Sequence, residues 1–214
     1  DCLLSRGLGD VYKRQMWNRF HYSLQRRKMK RKIGTAVLLM VSILIINVDG
    51  TYAKTSKNLL KNPGFESSDF SMWKYKGTGM DKLDYYTEDP VGIWNKKDDC
   101  HSGNYTFHFW STYKHHFKLE QTISKKKLNK NKTYKASVYI QGDEVGADAE
   151  IYLYVIADGK KYVSGMVELD GWQDWKKLTI DNIRCKKGNV KIGIYVDHAA
   201  DGWGMIDDFY FGQE

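Results

Sequence analysis

Beyond residue 54 the polar and apolar positions alternate with a period of two. In Thr133–Gln141 the side chains of Tyr134, Ala136, Val138 and Ile140 take one side, and those of Lys135, Ser137, Tyr139 and Gln141 the other. In residues 189–197 the set Val190, Ile192, Ile194, Val196 opposes Lys191, Gly193, Tyr195, Asp197. Successive side chains of a strand point to opposite faces, so this period predicts strands. Tyr105–Trp110, Phe117–Ile123, Glu150–Ile156, Lys161–Leu169 and Trp175–Ile180 carry the same signature, rich in aromatic and β-branched residues. Turn-forming clusters separate the runs: Ser102-Gly103-Asn104, Asn129-Lys130-Asn131, Asp158-Gly159, Asp170-Gly171 and Lys187-Gly188-Asn189. No helical spacing competes, and many short strands so punctuated predict an all-β fold, a β-sandwich of jelly-roll type.

The aliphatic set must form the core. The opposite positions are unusually aromatic, with Tyr139, Tyr152, Tyr154 and Tyr195 joined by His108 and Trp110. Such a face is either covered by something or built to touch a flat apolar ligand. Sugars present apolar C–H faces and a rim of hydroxyls, which call for stacking rings beside a few fixed hydrogen-bonding groups. Trp110, Tyr139, Tyr154, Tyr195 and Trp203 are candidates for stacking, and His108, Gln141 and Asp197 for hydrogen bonding. The competing reading is that these rings pack beneath loops.

A second constellation is carboxylate. Glu66 follows Asn62-Pro63-Gly64-Phe65, and Asp207 and Asp208 sit on the last strand. If the first and last segments are neighbours, these acids converge with loop carbonyls into an oxygen-rich site of the kind Ca²⁺ prefers, with a structural role; the alternative is a set of solvated surface acids.

Charge at first suggests a polyanion partner, since the 214 residues carry a formal net charge of +8. Ten of the 34 Lys and Arg lie in residues 1–53 beside only three acids, which leaves 24 basic and 23 acidic residues beyond. That balance provides no field for nucleic acid. The cationic start is instead a secretion signal: Lys30-Arg31-Lys32, then a mostly apolar run from Ile33 to Val48, then Thr51-Tyr52-Ala53 as a cleavage site. Residues 29–53 are therefore read as a signal peptide and 54–214 as a secreted, extracellular bacterial domain with no membrane contact after cleavage; an uncleaved anchor is the alternative. Asp10–Gln15 matches one frame of a widely used transposon sequencing adaptor, so residues 1–15 are read as adaptor-derived, 1–28 as a non-native or untranslated leader, and Met29 as the natural start. Cys100 and Cys185 remain in the exported part, where they either pair or stay as thiols.

Catalysis lacks its parts. Glycoside hydrolysis needs two carboxyl groups facing each other across a cleft, whereas the pairs Asp143 with Glu144 and Asp98 with Asp99 are adjacent in turn-like segments and diverge. His101, His115, His116 and His198 lack zinc spacing, and no Ser or Cys stands in a nucleophile motif.

Asn58-Leu59-Leu60-Lys61-Asn62-Pro63-Gly64-Phe65-Glu66 with Trp73 beyond resembles the start of many galactose-binding-domain-like modules. Gly103-Asn104-Tyr105 through Phe109-Trp110, Leu119 to Ile123, Tyr134 through Gln141-Gly142, Gly171-Trp172 with Trp175, and Asp201-Gly202-Trp203-Gly204 with Ile206-Asp207-Asp208-Phe209 resemble the family 61 carbohydrate-binding module attached to bacterial arabinogalactan endo-β-1,4-galactanases. The resemblance covers nearly all of residues 58–212. It implies a β-sandwich with structural calcium that binds β-1,4-galactan and targets an attached glycoside hydrolase. It also implies Glu66 with Asp207 or Asp208 as calcium ligands, and the tryptophans and Gln141 in or near the sugar site. Asp143-Glu144-Val145-Gly146 departs from the Gly-rich stretch of such modules, so ligand choice at that loop can differ. Two further readings stand beside it: the N-terminal fragment of a secreted galactanase whose catalytic domain lies beyond Glu214, and a surface adhesion domain with a protein ligand.

Overall fold

The computed structural model describes residues 56–77 and 90–214. The readings for the leader of 1–28 and the signal peptide of 29–53 lie outside these residues.

Ten strands form two five-stranded antiparallel sheets: β1 (Lys74–Gly77), β2 (Val91–Trp94), β3 (Thr106–Trp110), β4 (His115–Ile123), β5 (Thr133–Asp143), β6 (Glu150–Ala157), β7 (Lys160–Val163), β8 (Gly171–Arg184), β9 (Val190–His198) and β10 (Trp203–Gln213). The order is β1-β4-β9-β6-β7 in the first sheet and β2-β3-β10-β5-β8 in the second. Among the described residues the helical content is two 3₁₀ turns, Lys97–Asp99 and Lys125–Lys127. Positive φ at Asp158 and Gly159 closes the hairpin between β6 and β7 in two residues, a turn whose twist matches that of its strands.

The predicted alternation holds. Tyr134, Ala136, Val138 and Ile140 of β5 and Val190, Ile192, Ile194 and Val196 of β9 are buried, and they meet Phe107, Phe109, Phe117 and Phe209 between the sheets. This filling of one interior from both sheets is the main source of stability. The segment before β1 runs beside β10: the Leu59 amide donates to the Phe211 carbonyl at 2.8 Å, and the Phe209 amide to the Pro63 carbonyl at 3.0 Å. First and last segments are therefore neighbours. Lys161–Leu169 is strand only to Val163, since past it the chain keeps single backbone bonds from Ser164 and Val167 to β6. β8 is longer than its alternating centre, with register shifts where it pairs with β5.

Candidate functional site

Each sheet has an outer face, and the outward aromatics are divided between the two. On the second sheet, Thr106, His108 and Trp110 of β3 stand beside Asp207, Met205 and Trp203 of β10, which in turn pair with Tyr139, Gln141 and Asp143 of β5. On the first sheet, cross-strand partners give four rows: Glu150, Asp197 and His116; Tyr152, Tyr195, Lys118 and Lys76; Tyr154, Gly193, Glu120 and Lys74; Ile156, Lys191 and Thr122. The single aromatic face expected from alternation is therefore corrected to two. Alternation separates inside from outside but does not say which sheet a strand joins.

Around Tyr139 and Gln141 the second sheet's outer face is closed by its own chain. Residues 95–104 lie across it, held by Asp99, which is fully buried. The Asp99 carboxylate accepts from the Trp94 indole N–H at 2.8 Å and the Trp172 indole N–H at 2.6 Å, and Lys96 Nζ stands 3.3 Å away. The Gln141 amide donates to the Asp99 carbonyl at 3.1 Å, and its oxygen accepts the Gln173 amide. The His101 ring stacks on Tyr139 with centroids 3.6 Å apart. Gln141 is buried with both ends engaged, and Tyr139 is roofed by an imidazole, so neither offers a group to a glycan. Their assignment as sugar-contacting residues is corrected to bracing of the overlying loop. His108, half-buried, stacks with Trp94 at 5.0 Å. Trp110 and Trp203 are direct cross-strand partners at the end of this sheet, beside the connections 111–114 and 199–202.

The first sheet's outer face carries no such cover from the described chain. Tyr152 and Tyr195 are half-buried and lie 5.2 Å apart at 36°, forming a tilted platform. Lys161 and Lys118 approach Tyr152 and Tyr195 at 4.8 and 5.6 Å from the ring centroids. Next to the platform lies the row of Glu150, Asp197 and His116, where Asp197 Oδ1 is buried and accepts no hydrogen bond; Lys114 Nζ stands 3.6 Å from it. Tyr154 differs from its neighbours. It is 2 % exposed, because its ring lies across Gly193 and its hydroxyl donates to Glu120 Oε1 at 2.6 Å. A Cβ at position 193 would meet the Tyr154 hydroxyl at 2.8 Å, so the missing side chain makes room for the ring. Burial and the Glu120 carboxylate push the Tyr154 phenol far above its ordinary range. Tyr154 is therefore corrected from a stacking residue to the floor of the face. Of the eight candidates, Tyr195 and Asp197 stay on this open surface, and Tyr152 and His116 join them.

No protein-family model matches the chain, and no curated protein matches it. Among solved structures the chain is similar to TmCBM61, determined in complex with β-1,4-galactotriose: identity is 31 %, the TM-score is 0.63, and the match covers 74 % of this chain and 100 % of that one. The chain belongs to carbohydrate-binding module family 61. A second structure, the enzymatically active domain of bacteriophage CBA120 tailspike protein 4, is 11 % identical with a TM-score of 0.54 over 73 % of this chain and 21 % of that one, a likeness of fold alone.

In this family 61 module Asp207 and Asp208 stand beside Gly64, while the Glu66 carboxylate turns toward the backbone of residues 103–105. A Cβ at Gly64 would lie 3.1 Å from Asp208 Oδ1 and 3.3 Å from Asp207 Oδ1, with Glu66 Cγ at 4.0 Å. Glu66 accepts the amides of Asn104 and Tyr105 at 3.0 and 3.1 Å. Asp207 Oδ2 accepts the His101 amide at 3.0 Å, and His101 Nδ1 lies 2.6 Å from Asp208 Oδ2. Burial and the adjacent Asp208 carboxylate push Asp207 up to about 7. This excess of negative charge and oxygen suits a hard cation. Among the described residues no three acidic, imidazole or thiol side chains are grouped as a ligand set, so main-chain oxygens would have to complete a shell. Cys100 and Cys185 are both free thiols, and burial raises each to about 11.

Signals for the missed residues differ. Tyr152 was named among the outward aromatics but not as a sugar contact, and His116 precedes the strand read as Phe117–Ile123, which in fact begins at His115. Asp99 was legible only as one of an adjacent acidic pair; its partners Trp94 and Trp172 are five and 73 residues away along the chain.

Proposed function

We propose that this module binds β-1,4-galactan on the outer face of its first sheet, with Tyr152 and Tyr195 stacking on sugar rings and Asp197 and His116 taking hydroxyls. The observation that carries the reading is the match, at 31 % identity over 74 % of this chain, to the whole of a family 61 module holding β-1,4-galactotriose. The tyrosine platform supports the choice of face, since it sets flat rings beside the Asp197 carboxylate and its Lys114 partner. The module performs no chemistry. Shallow contact on one sheet face gives weak affinity, which attachment to a catalytic domain would convert into local concentration. We further propose that the protein is exported through residues 29–53, and that Ca²⁺ at Glu66, Asp207 and Asp208 pins the first segment to the last strand.

Affinity gel electrophoresis tests the central claim. The protein is expected to be retarded in gels containing galactan and to migrate freely in arabinan, xylan and cellulose gels. Unchanged migration in every gel would withdraw the sugar specificity and bring a protein ligand forward.

A further inference from the structure

Beyond the tyrosine platform the same face changes character. A cleft of about 330 Å³ opens where β1, β4 and β9 run side by side, lined by Met72, Lys74, Lys76, Glu120, Thr122 and Lys191 among others. The volume is within the range of small-ligand sites. Lys74 is the direct cross-strand partner of Glu120, and Lys191 that of Thr122, so these side chains share the outer face. Three ammonium groups thus meet one carboxylate. Lys76 Nζ lies 2.9 Å and Lys191 Nζ 3.5 Å from Glu120, which neutralises one charge and leaves an excess of two.

Glu120 is itself 6 % exposed. The Tyr154 hydroxyl donates to its Oε1 at 2.6 Å, and its buried Oε2 pairs with the Lys76 ammonium at 2.9 Å. The cleft therefore offers two complementary functions: cationic donors in excess, and an exposed rim that carries the Thr122 hydroxyl and the Met72 side chain. A simple anion such as phosphate would use only the first. A sugar bearing a carboxylate would use both, with its acid group among the lysines, a ring hydroxyl against the exposed Thr122, and its apolar edge against Met72, whose side chain is 50 % exposed.

We propose that this cleft is a second subsite, selective for uronic acid residues of an acidic polysaccharide. The inference rests on the carbohydrate-binding role of the face but not on galactan as its ligand. Because the cleft and the platform share one surface, a polymer carrying both neutral galactose and uronate units could occupy them together.

Affinity electrophoresis in gels containing polygalacturonate, run beside galactan gels, tests the subsite separately. Wild type is expected to be retarded by polygalacturonate, and Lys74→Gln with Lys191→Gln to weaken that retardation by about tenfold or more, with galactan migration unchanged. Lys125→Gln with Lys126→Gln, on the exposed turn before β5, is expected to bind polygalacturonate as wild type does. Galactan retention without polygalacturonate retention would overturn the subsite and leave the proposed function standing. Equal weakening by the two double variants, or equal retention by double-stranded DNA, would reduce the effect to general polyanion attraction and overturn it as well. Retention by polygalacturonate alone would uphold the subsite while galactan binding failed.

Discussion

The two outer faces of this sandwich start from the same kind of sequence and end in opposite states. Both are lined with aromatic rings at outward strand positions. On the second sheet Tyr139 and Gln141 are covered by residues 95–104, and the polar groups there satisfy one another: Asp99 with Trp94 and Trp172, Gln141 with the Asp99 carbonyl and the Gln173 amide. On the first sheet no loop of the described chain lies over the Tyr152 and Tyr195 rings, which the Lys161 and Lys118 side chains approach, and Asp197 keeps a buried oxygen that accepts no hydrogen bond. A closed face spends its polar groups on itself; an open one holds some in reserve. Aromatic enrichment alone cannot tell them apart, whereas the accounting of hydrogen bonds can.

Asp99→Ala should break this comparison most severely. It strands two indole N–H groups beneath the loop and is expected to cost about 3 kcal/mol, read by urea denaturation, while the protein that remains folded keeps its galactan retention. Retained stability with lost retention would exchange the roles of the two faces.

Acid is the next largest lever, acting on the ends of the strands that form the open face. His115 and His198 are buried cross-strand partners, and burial together with the neighbouring His198 holds His115 down to about 4. Near neutral pH both folded and unfolded chains have this imidazole neutral. As pH falls from about 6.5 to 4, the unfolded chain takes up a proton that the folded one refuses, so stability is lost at about 1.4 kcal/mol per pH unit. Asp207, raised to about 7, acts in the opposite sense, because its folded carboxyl holds the proton more tightly and its contribution fades as pH rises. The difference between wild type and His115→Leu cancels Asp207 and should show the imidazole slope; parallel pH profiles would mean that His115 is protonated in the fold.

Calcium comes third. If the ion links Glu66 to Asp207 and Asp208, a chelator should remove about 2 to 3 kcal/mol at saturating metal and lower Tm, with little change in sugar binding by the folded protein. A chelator-indifferent Tm would remove the metal. Tyr195→Ala should then cost about 1 to 2 kcal/mol of galactan affinity through lost stacking, measured by calorimetry, with little loss of stability. Trp203→Ala, on the closed sheet, should change that affinity least, by under about 0.5 kcal/mol. A larger loss for Trp203 than for Tyr195 would move the site around the sandwich edge to the 199–202 connection.

Much of the fold was legible because alternation is strong where one side is core: β5 and β9 were assigned residue by residue, and the turns at Asp158-Gly159 and Lys187-Gly188 fell where expected. β1 and β2 were not foreseen. Each has four residues, too few to display a period. The adjacency of the first segment to the last strand was legible, because the acids at Glu66 and at Asp207 and Asp208 drew attention to it. The partition of outward tyrosines and tryptophans was not, because it depends on strand order, and sequential strands cross between sheets, as β3 to β4 and β9 to β10 do. Tyr154 shows a finer limit. Its position was right, but a glycine one strand away let the ring lie flat and seal itself in.

The pairing of the first segment with β10 also bears on mechanics. Ser56 meets Tyr210 and Gln213, while Asn58 and Leu59 bond to Phe209 and Phe211, so both ends of the folded unit leave from the same corner. Tension transmitted from one end to the other would load this short seam and bypass the sheets, whereas tension from a polymer held on the tyrosine face would enter through β6 and β9, in the middle of a five-stranded sheet. A pull between the two ends is therefore expected to open this seam before it strains either sheet.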